Sequence, residues 1–342
     1  MTDQQSITRV LDAADKRRAD RRQFLRSAGV AGLAVGGSSL LAACGSGNGN
    51  KAPTPTPTAT GTPTPTPSPT TTYTDADFLN FALNLEYLEA QFYLHAAFGT
   101  GLDSSLTSGA GTAGGTNTAG AVTGGRQVTF TDPVVAQYAR EIAADEREHV
   151  TFLRTQLASA TIAQPPINID GGATGAFTTA ARAAGLVGST GTFDPYASDE
   201  NFLLAAFLFE DVGVTAYMGA IGYIANTVLR EAAAGIHAAE AYHAGLIRST
   251  LYAKGVATPS LITSAGQISN ARDSLDGTTD DDQGIAESNG AANIVPADTN
   301  SITFARTPAQ VLNIAFLTAS AATMGGFFPS GVNGTINKSG GA

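Results

Sequence analysis

Glu146-Arg147-Glu148-His149 and Glu240-Ala241-Tyr242-His243 each place a histidine three residues after a glutamate, and both lie inside long stretches of helical periodicity. The chain has four His in 342 residues. With so few, chance would give roughly 0.1 occurrences of Glu-x-x-His. At i and i+3 both side chains leave the helix on one face. Such a pair can bind one metal together or set a carboxylate between two metals.

The two stretches also align with each other. Ile142 matches Ile236, Glu146 matches Glu240, His149 matches His243, Arg154 matches Arg248 and Leu157 matches Leu251. The preceding apolar segments align in the same way: Phe78-Leu79 with Phe202-Leu203, Glu86 with Glu210, and Tyr93 with Tyr217. The domain is therefore a duplicated helix pair. The 3.6-residue period predicts helices over Asp75 to Phe98, about Asp132 to Leu157, Ser198 or Asp199 to about Gly222, and about Thr227 to Ala253 with a stop at Gly255. Asp75 is the expected cap of the first helix, and Pro133 occupies the first turn of the second.

The Gly, Thr and Ser-rich stretch from Gly99 to Thr131 reads as a crossover loop, with a possible short hairpin near Gln127 to Phe130. Pro165-Pro166 ends the second helix, and a looser segment, Ile167 to Ala197, makes the long connection to the third. The short connection from the third to the fourth helix predicts antiparallel neighbours. Gly266 to Ala297, with Asp273, Asp276 and Asp280 to Asp282, reads as irregular, and the aspartate run as a solvated turn. A fifth apolar helix is expected over Val311 to Met324, capped by Thr307-Pro308. The expected fold is all-α: a four-helix bundle with a long crossover-type connection and an additional C-terminal helix, over residues 73–334, followed by a flexible tail at 335–342.

A Glu sits at the same place in the first helix of each pair, Glu86 among Leu85, Tyr87 and Leu88, and Glu210 beside Phe209 and Val212. A buried carboxylate is costly unless it is paired or holds a cation. One Glu from each of two helices plus Glu-x-x-His from each of the other two is the ligand pattern of di-iron and di-manganese carboxylate bundles. The candidate ligands are Glu86, Glu146, His149, Glu210, Glu240 and His243. Four carboxylates and two imidazoles suit two iron or manganese ions better than zinc or copper(I). Glu89, one turn from Glu86, is the alternative first-helix ligand. Glu148 falls off the ligand face, and His95 and His237 lack a Glu three residues before them.

The helices resemble the ferritin-like domain family that includes bacterial and plant desiccation-related proteins, notably at Leu83-Asn84-Leu85-Glu86-Tyr87-Leu88-Glu89, Glu141 to Leu153 and Thr307 to Asn313. The resemblance implies that Glu146 and Glu240 bridge the metals, with Glu86 and Glu210 as terminal ligands. Tyr93 and Tyr217 are then candidate catalytic residues beside the cluster, or core tyrosines with satisfied hydroxyls. Asp145 could orient His243 through its outer ring nitrogen, although the counterpart Ala239 could not do this for His149.

Composition narrows the rest. A net charge of −10 and a pI near 4.8 argue against a nucleic-acid partner, because phosphate binding needs clustered Lys and Arg. A single Cys excludes an internal disulfide framework and a multi-Cys zinc or iron–sulfur site. Residues 1–43 carry a net +3, leaving −13 on the remainder. There Arg21-Arg22-Gln23-Phe24-Leu25-Arg26 precedes an apolar run from Ala28 that ends in Leu41-Ala42-Ala43-Cys44. The run is shorter than the ~20 residues a stable membrane span needs. It reads as a signal peptide that resembles a twin-arginine export signal with a bacterial lipobox, in which Cys44 is lipidated. Residues 44–72 follow as a Pro/Thr-rich linker; about 20 residues of polyproline II reach on the order of 60 Å.

Together these features predict an exported protein in the periplasm or on the cell surface, held to a membrane by the lipid on Cys44. Its partners would be a small-molecule oxidant or ferrous iron, and it could form a homo-oligomer. The expected chemistry is redox work on peroxide, dioxygen or ferrous iron. The alternative is a non-catalytic desiccation or stress protein in which the metal is structural.

Overall fold

Thr74 opens the first helix by accepting from the Asp77 backbone while Asp77 reaches back to the Thr74 backbone, so two of the helix's orphan donors are satisfied reciprocally. This places the cap one residue before the Asp75 expected from sequence. The computed structural model describes residues 73–111, 119–287 and 290–341. The signal segment, Cys44 and the Pro/Thr-rich linker lie outside the described residues.

The bundle is built from α1 (Asp75–Phe98), α2 (Pro133–Leu157), α4 (Asp199–Ile221) and α5 (Thr227–Ala257), with a short α3 (Ala176–Ala183) in the second long connection. Asp132, Ser198 and Asn226 cap α2, α4 and α5 through side-chain oxygens. α1 packs along α2 and α4 along α5. The pairs are antiparallel: Asn80 near the start of α1 donates to Ala160 just past α2, while Ala96 near its end accepts from Val128 ahead of α2. Asp199 accepts from the backbone N–H groups of Thr131 and Asp132, which ties the start of α4 to that of α2.

α1 and α4 are apolar almost all round because they are buried almost all round. α2 and α5 keep one polar face in water. The core is aromatic, with Phe92 stacked on Phe202 at 5.7 Å and edge-on to Phe209 at 5.5 Å.

Several connecting segments differ from the sequence expectation. No hairpin forms at Gln127 to Phe130; the extended residues are β1 (Val122–Gly124) and β2 (Ile167–Ile169), paired in parallel. A local reading could not find this, because the partner lies beyond the whole of α2. α5 continues through Gly255, which is not a stop. A Cβ there would lie 2.5 Å from Ile262 Cγ1, so the glycine admits the next helix, α6 (Ser260–Asp276). α6 occupies the first part of the segment expected to be irregular.

Asp282 is not solvated either; it is buried between Arg272 and Arg306 at 2.6 and 3.0 Å. With Arg248, Asp211 and Asp276 these residues form a neutral buried network of three Arg and three Asp that fastens α4, α5 and α6 to the segment after them. The C-terminal helix, α7, spans Pro308–Ala315 rather than reaching Met324, because Leu317 turns into the left-handed region at φ 55°. Residues 335–341, expected as a flexible tail, pack onto the domain. Ile336 and Ser339 are buried, and Ser339 and Gly340 bond to Ala322 and Asn313.

Candidate metal centre

Each bundle helix contributes to one buried cluster of carboxylates and imidazoles. Glu86 comes from α1, Glu146 and His149 from α2, Glu210 from α4, and Glu240 and His243 from α5. The four carboxylates are buried to 1% exposure or less. Their ligand atoms form two groups, each within a 4.8 Å span: Glu86, Glu146, His149 and Glu240 in one, Glu146, Glu210 and His243 in the other. Glu146 belongs to both, which is the place of a bridge between two cations. Glu240 joins the first group only, so one carboxylate, not the symmetric pair implied by the resemblance, is common to both groups.

Gly213 explains where the Glu240 carboxylate goes. An added Cβ at Gly213 would lie 2.0 Å from Glu240 Oε2 and 3.5 Å from Glu89 Oε1. Gly213 is the duplicated counterpart of Glu89. The first helix of one pair thus carries a further buried carboxylate, and the other helix gives up its side chain to make room. Glu86, not Glu89, is the α1 residue inside a ligand group.

The donor set fits a pair of divalent cations. Both oxygens of Glu146 and of Glu240, Glu210 Oε2 and His243 Nδ1 are buried without a hydrogen-bond partner. Orphaned buried acceptors at such density are otherwise costly, and cations satisfy them all at once. Oxygen-rich ligation with two imidazoles suits iron or manganese.

The electrostatics tell the same story. Burial, opposed by His149, leaves the Glu86 carboxyl raised to about 7. Burial and the neighbouring carboxylates push Glu240 and Glu89 well above the usual range. Burial also acts on Glu146, but His149 and His243 outweigh it and hold that carboxyl well below its ordinary value. Burial would lower His149, yet Glu86 and Glu146 push it up to about 12. In the metal-free protein, protonated imidazoles and carboxyl protons thus supply the positive charge that cations would otherwise bring.

The two tyrosines bind across the duplication. Tyr93 donates to Glu210 and Tyr217 donates to Glu86, each reaching the single carboxylate of the other pair. Burial and these carboxylates raise both phenols well above their usual range, which keeps them as donors. Asp145 Oδ2 lies 3.2 Å from His243 Nε2. A ring that gave Nδ1 to a metal would keep its proton on Nε2, directed at Asp145. At His149 the corresponding position is Ala239, which has no acceptor to offer.

Of the remaining polar residues, Glu148 is exposed and pairs with Arg147 at 3.0 Å. His237 Nδ1 meets the Val214 carbonyl at 3.1 Å, and neither it nor His95 belongs to a ligand group. Sequence reasoning missed Gly213, because a glycine inside an apolar helix announces a close approach without naming what approaches.

Fold and site together define a helical bundle with a carboxylate–histidine centre between its helices. The model of the ferritin-like domain matches residues 74–253, and the chain belongs to that family. It is similar to a desiccation-related protein of Craterostigma plantagineum, 31% identical over 273 residues that cover 76% of this chain and 83% of the relative. It is also similar to a ferritin-like catalase of Nesocodon mauritianus, 28% identical over 279 residues that cover 77% of this chain and 85% of the relative. No solved structure matches the chain significantly.

Proposed function

We propose that the protein is an exported, lipid-tethered redox metalloprotein that acts on peroxide, dioxygen or ferrous iron at a pair of iron or manganese ions, with disproportionation of hydrogen peroxide as the leading reaction. The observation that carries this reading is the convergence of Glu86, Glu146, His149, Glu210, Glu240 and His243, in which both oxygens of Glu146 and of Glu240 are buried without a hydrogen bond. Two such ions, when bound, supply the two-electron change by which one peroxide is reduced to water and a second oxidised to dioxygen. Glu146, common to both ligand groups, would serve both ions, with Glu86, His149 and Glu240 completing one site and Glu210 and His243 the other. Tyr93 and Tyr217 keep the terminal carboxylates oriented. Asp145 fixes the tautomer of His243. The catalase named among the relatives supports peroxide as the substrate.

The test is to load the full chain with manganese or iron, measure metal per chain, and follow oxygen release after adding peroxide. Two metals per chain and one O2 for every two peroxides consumed are expected; less than one metal per chain would end the proposal. The relative named for desiccation favours a second reading, in which the metal staples the core. A loaded protein that melts well above the metal-free form and leaves peroxide intact would select it.

The signal and lipobox motifs support export by the twin-arginine route and tethering through Cys44. Radiolabelled fatty acid incorporated into wild-type protein and lost in Cys44→Ala is the expected result.

A further inference from the structure

A small cavity walled by buried side chains and an open cleft lie beside the centre. One, about 30 Å³, is lined by Leu85, Leu88, Phe209, Val311 and Phe327 with Glu89 as its single charge. The other is a cleft of about 570 Å³ between α2 and α5, bounded on one side by Ile294. Its lining includes Glu141, Asp145, Tyr242, His243 and Ser249, and no Lys or Arg. Glu141 is exposed, Asp145 lies one helical turn further along and is 47% exposed, and His243, 7% exposed, lies 3.2 Å beyond Asp145. His243 Nδ1 is buried without a hydrogen bond, 3.1 Å from Glu146.

We infer that this cleft is the port through which divalent cations enter the centre, an inference that rests on the di-metal reading above. The apolar cavity is a barrier to a hydrated cation, which would lose its water in a low-dielectric space before any ligand replaced it. The cleft removes that barrier in stages. Glu141 attracts the ion at the rim, Asp145 offers an oxygen halfway, and Glu146 and Glu210 take over as the last waters leave. The absence of basic residues along the lining gives the same path a preference for cations and neutral molecules over anions.

The experiment measures the rate at which the metal-free full chain takes up manganese(II), by quenching with chelator at timed intervals and counting retained metal. Glu141→Lys is expected to slow uptake about tenfold and to flatten its salt dependence, because it reverses the charge at the rim. Ala241→Trp and Ser249→Trp, both at exposed cleft positions, are expected to slow uptake with the salt dependence intact. Glu148→Lys makes the same charge change off the cleft and is expected to load within twofold of wild type. All variants should reach the wild-type stoichiometry at long times. Uptake unchanged by the cleft variants, or slowed equally by Glu148→Lys, overturns the port while leaving the centre standing. A wild-type chain that retains no manganese overturns both.

Discussion

Tyr93 and Tyr217 each hold a carboxylate that belongs to the other helix pair, so neither half of the duplication completes its ligand set alone. Removing either hydroxyl by Tyr93→Phe or Tyr217→Phe is expected to weaken metal retention by roughly 10- to 100-fold, as for other residues that orient a ligand. A competition titration against a coloured chelator reads it. Gly213→Ala separates packing from propensity. Ala favours a helix interior by about 1 kcal/mol over Gly. Its methyl, however, would lie 2.0 Å from Glu240 Oε2. The carboxylate must move, so metal retention is expected to fall at least about tenfold even where the metal-free melting temperature rises. Protons provide a third check. In the metal-free protein burial pushes Glu86 up to about 7 and the neighbouring carboxylates push His149 up to about 12, and the ligands must shed those protons to bind metal. Loading is therefore expected to release protons into a weakly buffered solution and to strengthen from pH 6 to pH 8. A pH-independent affinity with no proton release would contradict this.

At the scale of the elements, α1, α2, α4 and α5 were legible because their caps are polar side chains at the right places and their apolar period is unbroken. α6 was not. Its inward face is Leu261, Ala265, Ile268 and Arg272, and the last of these is a charge where the pattern calls for an apolar residue. Arg272 is at home there only because Asp211 and Asp282 reach it from other elements, at 2.9 and 2.6 Å. A local reading of sequence has no means of seeing such a pair. The same network makes a strong stability prediction. Asp282→Ala leaves Arg272 and Arg306 short of a buried counter-charge and is expected to cost about 3–5 kcal/mol in urea unfolding. A change below 1 kcal/mol would mean that water replaces the carboxylate.

Over the whole domain, the convergence of these carboxylates and imidazoles could be read from residue types and spacing because a duplication writes the same motif twice, and two coincident rarities outweigh one. What the duplication could not show is where it is broken. Ala239 faces Asp145 as its counterpart, and Gly213 faces Glu89; both departures sit at the centre, making its two halves chemically unequal. Glu146 is shared by both ligand groups while Glu240 joins one. The most direct test of the account is the metal content of the reconstituted chain, measured by elemental analysis beside Glu146→Ala. Two ions per wild-type chain, falling to one or fewer when the shared carboxylate is removed, is the predicted result. Fewer than one ion in the wild type, or an equal content in both proteins, would contradict it.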